Sequence, residues 1–248
     1  MCEVKNATEI EYIRQACRIV GELLQYIREF IKPGIQTSEL DQKAEEFIRR
    51  HGAEPAFKNY NGFPSSICAS VNEEVIHGIP GPRKLLEGDV LSVDVGVLRA
   101  GYYGDAAVTV PVGQISAEIQ ELLAATEASL YEGIEKAVGG NHVSDISQAV
   151  QDHVESRGFS VVRDFVGHGV GKKLHEEPPI PNYKTPGRGP LLRSGMTLAI
   201  EPMVNMGGYE VDIQDDNWTV VTRDGKPSAH FEHTILVLDG EPDILTLA

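Results

Sequence analysis

Apolar positions along this chain follow two spacings, and the switches between them mark out its elements. Ile10, Ile13, Cys17, Val20, Leu24, Ile27 and Ile31 recur three or four apart. They predict a first helix, opened by the capping-box pattern Thr8-Glu9-Ile10-Glu11 and stopped at Pro33-Gly34. Thr37 is placed to cap a second helix, with Leu40, Ala44, Phe47 and Ile48 inward and Gly52 just past its end. A turn-rich stretch from Tyr60 to Pro80 holds one short strand near Ile67 to Val71, and then the spacing changes to two. Val90 to Val112 reads as two β-branched strands around a tight connection at Arg99-Ala100-Gly101, a hairpin. Ser116 opens a third helix (Ile119, Leu122, Leu123, Leu130, Ile134, Val138) that ends at Gly139-Gly140, and Ser144 a fourth (Ile146, Val150, Val154) closed by Gly158. Strand-like text returns at Ser160 to Val166, Met196 to Val204 and His230 to Leu238. Gly167 to Gly195 is a long loop rich in Gly and Pro, a length at which ordered loops are often functional.

Two helices followed by strands thus occur twice, before and after residue 115. That order suggests one domain over 1–248 with two related halves, roughly 8–115 and 116–248. Their strands would join in a curved antiparallel sheet with helices on its outer face and a central cleft, an α+β fold.

Four charges interrupt the apolar strands. In the hairpin, Asp94 and Asp105 sit nearly opposite each other and on one face, where like charges repel. Glu201 lies in Thr197-Leu198-Ala199-Ile200-Glu201-Pro202, and Glu232 enters the strand Phe231 to Leu236. One such acid is commonly exposed on an edge or paired with an arginine. Four on core-like strands call for a common partner, because an unpaired buried carboxylate costs several kcal/mol. No Lys or Arg alternates onto the hairpin's charged face, so a shared proton or a cation remains, and a metal is the leading candidate.

The histidines divide by context. His168 stands among glycines in Gly167-His168-Gly169-Val170-Gly171, where backbone can approach a ligand closely. His175 opens His-Glu-Glu-Pro-Pro and His77 lies in Val75-Ile76-His77-Gly78; neither matches the helical H-E-x-x-H zinc pattern. His51, His142 and His153 fall at helix ends or on polar helical faces and read as solvated. His230 shares the face of Glu232 and could support a ligand from behind, whereas His233 points the other way. One histidine with four carboxylates suits manganese, iron, cobalt or zinc. Four carboxylates exceed what one ion needs, and two ions about 3.5–4 Å apart share such ligands in hydrolytic sites.

Overall composition narrows the partners. Thirty-seven acidic against 22 basic residues give a formal charge of -15, which argues against nucleic acid or an anionic membrane as partner. Three cysteines, Cys2, Cys17 and Cys68, are too few and too scattered for a disulfide framework, and with no signal or membrane-spanning stretch the expected location is the cytoplasm. Cys17, on the apolar face of the first helix, reads as a small packed thiol.

The hairpin SVDVGVLRAGYYGDAAVTV, the glycine-rich GHGVGKKLHEEP, IEPMVN and FEHTILV, in this order and spacing, resemble type I methionine aminopeptidase over essentially the whole chain. The resemblance implies the pita-bread (creatinase/aminopeptidase-like) fold and a dinuclear centre held by Asp94, Asp105, His168, Glu201 and Glu232. It implies that Glu201 handles the protons of the attacking water, that His175 bonds the scissile carbonyl, and that His77 contacts the substrate amide. It further implies a methionine pocket drawn from Tyr60, Phe63, Cys68 and Trp218, and a monomer acting on the N-termini of nascent chains, with association with the ribosome as a further expectation. Two positions depart from the family: Ala106-Ala107 stand where a hydroxyl pair is common, and Leu174 where an aromatic is common. An Xaa-Pro peptidase of the same fold and a non-enzymatic binding module are the alternatives; the first usually carries a further N-terminal domain and the second typically loses ligands. An unrelated two-metal phosphoesterase would leave His175 and His77 unexplained.

Overall fold

The computed structural model describes residues 3–247, so Cys2 lies outside the described residues; Cys17 and Cys68 are free and buried. Helices α1 (Ala7–Arg28), α2 (Thr37–Arg50), α3 (Ala117–Glu135) and α4 (Val143–Glu155) form where the helical spacing places them, except that α1 and α3 end before Ile31 and Val138. Three of the four starts differ from expectation. Asn6 caps α1: its side-chain oxygen accepts from the Thr8 and Glu9 N–H groups while Glu9 accepts from the Asn6 N–H, the same box two residues upstream of Thr8. Gln36 and His142 occupy the cap positions of α2 and α4, where Glu39 and Asp145 accept from their N–H groups at 2.9 and 2.7 Å. Thr37 and Ser144 therefore stand inside the first turn, whereas Ser116 caps α3 as expected.

The strands, numbered along the chain, are β1 (Glu54–Pro55), β2 (Cys68–Val71), β3 (Glu74–Ile76), β4 (Val90–Arg99), β5 (Tyr102–Pro111), β6 (Ser160–Val161), β7 (Gly167–Gly169), β8 (Glu176–Ile180), β9 (Thr197–Ile200), β10 (Met203–Asn205), β11 (Val211–Ile213), β12 (Val220–Thr222), β13 (Ser228–His230), β14 (Glu232–Leu236) and β15 (Asp243–Ile244). The main sheet runs β1-β4-β5-β14-β9-β7-β8, with β2 also on β4 and β15 also on β14; β13-β10-β6 and β11-β12-β3 form two smaller sheets. Strands from the first half of the chain meet those from the second where β5 pairs β14.

Ala100-Gly101 alone connects β4 to β5, with φ of 50° and 82°, the left-handed pair that a two-residue hairpin needs. This loop sets the register. Asp94 faces Ala107 and Asp105 faces Gly96, so the two acids are diagonal neighbours on one face and not opposite each other. A small residue beside each keeps the carboxylates from direct opposition.

Alternation then separates the two faces of the sheet. Leu91, Val93, Val95, Val97 and Ala106 join a core with α1 and α2, while Leu198, Ile200 and Ile235 join a second core with α3 and α4. Glycine brings the first layer close: a Cβ on Gly104 would lie 2.6 Å from the Cys17 backbone nitrogen of α1. Asp94, Asp105 and Glu232 have the opposite parity and share a face of their own.

Three long strand expectations are shorter in the structure. Ser160 to Val166 pairs only over β6. Met196 to Val204 breaks at Glu201-Pro202, and the last strand breaks at Phe231. Proline has no N–H for the ladder, so the chain leaves the main sheet there and re-enters a smaller one: β9 pairs β14, but β10 pairs β13. The expected loop from Gly167 to Gly195 contains the β7 and β8 pair, which places His168 on a strand. His51 is exposed, but His142 and His153 are half-buried and not simply solvated.

Candidate metal centre

Register converges the charged residues on one patch of the sheet. Ala107 of β5 faces Asp94 on one side and Glu232 on the other. His168 faces Ala199, and Glu201 directly follows β9 at the point where the chain changes sheet. The Thr234 hydroxyl donates to the Asp105 carbonyl at 2.7 Å, locking β5 to β14 beside the patch. One ligand atom each from Asp105, His168 and Glu232 lie within 4.8 Å of one another.

The cluster is buried and its charges are unbalanced. Asp105, Glu232 and His168 are 3, 2 and 8 % exposed. Loss of hydration pushes the proton affinity of Asp94, Asp105, Glu201 and Glu232 upward, and neighbouring carboxylates add to it at the last three. Asp94 Oδ1, Asp105 Oδ1 and Glu232 Oε1 are buried without a hydrogen-bond partner among the described residues. His168 Nδ1 donates to the Gly169 carbonyl at 3.0 Å, and because a carbonyl only accepts, the bare nitrogen is Nε2. That lone pair faces Glu201 Oε1 at 3.5 Å and Asp105 Oδ2 at 3.9 Å. Burial, and next to it His175, lowers the His168 proton affinity to about 3, so the ring is neutral and presents the lone pair to two acids. Such an arrangement is repulsive unless a shared proton or a metal cation lies among them. Orphaned oxygens and a turned lone pair therefore fit a divalent metal. His230, weighed in the sequence as a support from behind, places Nε2 3.8 Å from Glu201 Oε2, and among the described residues neither of its ring nitrogens has a hydrogen-bond partner.

Above the cluster opens a cavity of about 230 Å³, walled by Phe57, Tyr60, Phe63, Cys68, Leu174 and Trp218, with His77 and His175 at its sides. All four pocket residues expected from the sequence line it. Cys68 faces Asp94 across β2 and β4, which puts its thiol between wall and floor. Phe63 meets Trp218 edge-on at 5.2 Å, and the Trp218 backbone N–H donates to Asp216 Oδ1 at 2.8 Å. His77 has φ of 59°, a conformation uncommon outside glycine, and stands edge-on to Trp218 at 6.2 Å. Its proton affinity falls to about 4, chiefly through burial and then through His175. Partial loss of hydration where its ring faces the cavity likewise lowers that of His175, an otherwise exposed residue whose Nδ1 lies 2.8 Å from the Tyr60 hydroxyl.

Sequence reasoning missed Phe57 and treated Leu174 only as a departure. A signal for Phe57 was present in Gly96, an interior strand glycine: a Cβ there would lie 2.5 Å from the Phe57 ring. Ala107, the other departure, is the small residue between Asp94 and Glu232.

Comparison with known proteins agrees with this geometry. The model of metallopeptidase family M24 matches residues 11–239. A methionine aminopeptidase of Clostridium acetobutylicum is 55% identical over 248 residues, covering 100% of this chain and 99% of its own. The crystal structure of a methionine aminopeptidase from Thermotoga maritima superposes with a TM-score of 0.98 at 46% identity, covering 100% of both chains. A prolidase from Pyrococcus furiosus, at 23% identity and a TM-score of 0.81, shares the fold, and this chain spans 65% of it. The fold is thus the expected pita-bread arrangement, and the chain belongs to metallopeptidase family M24, among its methionine aminopeptidases.

Proposed function

We propose that this protein is a type I methionine aminopeptidase that hydrolyses initiator methionine from new chains whose second residue is small. On this reading Asp94, Asp105, His168, Glu201 and Glu232 hold two divalent ions of the manganese, iron, cobalt or zinc group. When bound, such ions lower the pKa of water and polarise the carbonyl under attack. Glu201 takes a proton from the attacking water and returns it to the leaving amine. Neutral His175 donates to the scissile carbonyl oxygen as charge develops there, and neutral His77 contacts the substrate amide. The aromatic and aliphatic walls take the flexible thioether side chain, and the acidic floor takes the free α-amine, which confines cleavage to the first residue.

The observation that carries this reading is the convergence of three buried carboxylates, the half-buried Asp94 and one histidine at the floor of an aromatic-walled cavity, with three carboxylate oxygens lacking any hydrogen-bond partner among the described residues. We further infer that residues 1–248 act as one catalytic unit, its halves roughly 8–115 and 116–248; the pairing of β5 with β14 supports this. The same reading makes it a cytoplasmic monomer that meets its substrates as they leave the ribosome, without nucleic acid or membrane as partner. The formal charge of -15 is consistent with that, and among the described residues no helix is long and apolar enough to cross a membrane.

Release of the free N-terminal amino acid, methionine from Met-Ala-Ser and Met-Leu-Ser and alanine from Ala-Pro-Ala, tests it, first with chelator and then with each of the four ions restored. Metal-dependent cleavage of the first peptide alone is expected. Cleavage of the third instead would make the chain an Xaa-Pro peptidase, and no cleavage with any ion by the folded protein would favour a binding module.

A further inference from the structure

Tyr60 reaches the site from a segment 115 positions away from His175, and the chain is shaped to bring it there. It opens a single 3-10 turn, Tyr60–Gly62, flanked and interrupted by two left-handed asparagines, Asn59 (φ 68°) and Asn61 (φ 49°). Asparagine tolerates that region better than other side chains, and its use twice within three residues fixes the direction in which the tyrosine leaves the loop. Backbone bonds close the loop: Tyr60 N–H donates to the Phe57 carbonyl at 2.9 Å, Phe63 N–H to the Tyr60 carbonyl at 3.0 Å and Asn59 N–H to the Phe63 carbonyl at 2.8 Å.

Across the cavity mouth the Tyr60 hydroxyl lies 2.8 Å from His175 Nδ1, among the described residues the one hydrogen bond to that ring. The His175 residue is exposed, with the His168 ring 4.3 Å away on its inner side. A rim histidine held by nothing else could turn either nitrogen toward the cavity. A neutral imidazole has one donor and one acceptor nitrogen, so a hydroxyl that donates to Nδ1 leaves the proton on Nε2.

We propose that Tyr60 is a positioning residue as well as a pocket wall: its hydroxyl donates to His175 Nδ1 and holds the ring with Nε2–H directed at the substrate carbonyl. This rests on the reading of His175 as the donor to that carbonyl. The ring of Tyr60 serves the methionine pocket, and its hydroxyl serves the reaction.

The test combines Tyr60→Phe and His175→Ala, singly and together, with kcat and KM for Met-Ala-Ser in the metal-loaded protein. In the metal-free protein, imidazole 15N resonances give the His175 tautomer independently of activity. Loss of one hydrogen bond at the rim predicts a fall in kcat of roughly tenfold for Tyr60→Phe. KM should stay within about twofold, since the ring that contacts substrate is kept. In the His175→Ala background Tyr60→Phe should have no further effect, and wild-type His175 should carry its proton on Nε2, with the Nδ1 resonance moving in Tyr60→Phe. Unchanged kcat in Tyr60→Phe, an equal kcat loss without His175, a rise in KM alone, or a wild-type proton on Nδ1 would each overturn the inference while His175→Ala remains slow. Wild-type turnover by His175→Ala would instead overturn the reading of His175 itself.

Discussion

Replacing Lys5 by Met should destabilise this protein far more than an ordinary change near a terminus. The Lys5 ammonium lies 2.6 Å from Glu176 Oε2, and the two side chains are 4 and 10 % exposed. Glu176 directly follows His175, and its other oxygen accepts from the Lys173 N–H at 3.0 Å. The space is tight: a Cβ on Gly171 would lie 2.6 Å from Lys5 Cε and 2.8 Å from Glu176 Oε1. Lys5 N–H also donates to the Gly195 carbonyl at 2.8 Å, so the segment before α1 is fastened to the part of the chain that carries His175. Removing one partner of a buried pair leaves the other charge uncompensated, at about 3–5 kcal/mol. The Lys173 N–H remains on Glu176, which sets the expectation at the lower end, about 3 kcal/mol. For a chain of this size that corresponds to a fall in Tm of roughly 6–12 °C. The paired variant Lys5→Met with Glu176→Gln removes both charges and should recover at least half of the loss. Urea unfolding and calorimetry of the three proteins would decide it. A loss below about 1 kcal/mol for Lys5→Met, where buried-pair disruption predicts three times that, or a paired variant no more stable than the single one, would refute the argument.

Gly96→Ala should raise KM for methionine peptides by roughly tenfold and cost about 1–3 kcal/mol, because the added methyl drives the Phe57 ring into the cavity; unchanged KM would show that Phe57 gives way elsewhere. Glu201→Gln keeps the volume of the side chain, so it should retain bound metal by elemental analysis while turnover falls by at least roughly a hundredfold; near-wild-type activity would remove its proton-handling role. Glu9 is held down to about 2, first by the hydrogen bond from Lys172, from an ordinary value of 4.5. A depressed carboxylate contributes stability above its ordinary value and loses it as the pH falls toward 2, so the Tm gap between the wild type and Glu9→Gln should narrow from pH 6 to pH 2.5. A gap that widens on acidification would contradict that linkage.

Much of the site was legible before the fold. Asp94 and Asp105 share a face because strand side chains alternate with a period of two, and a tight connection carries that parity from one strand to the next. Their near opposition is a diagonal offset of two residues: the Ala100-Gly101 turn, both residues at positive φ, sets Asp94 against Ala107. Glu201 and Glu232 stand out as charges in apolar text, but the alternation around them does not show that each sits at a strand break. The break at Glu201 follows from Pro202, whereas nothing in the sequence around Phe231 announces the second break. Phe57, the hydroxyl bond from Tyr60 to His175 and the Lys5–Glu176 pair gave no periodic signal, since each joins a loop or end to a distant segment.

The amino-acid order by itself determined the four helices, the hairpin, the faces each presents and the residue types that hold a metal, because these depend on neighbours within a turn or across a tight loop. Only the tertiary structure decided that β14 enters between β5 and β9, and with it that the acids of the two halves meet. Strand order across a sheet depends on which hydrophobic faces bury most surface together, and residues more than a hundred positions apart carry no local pattern that encodes it.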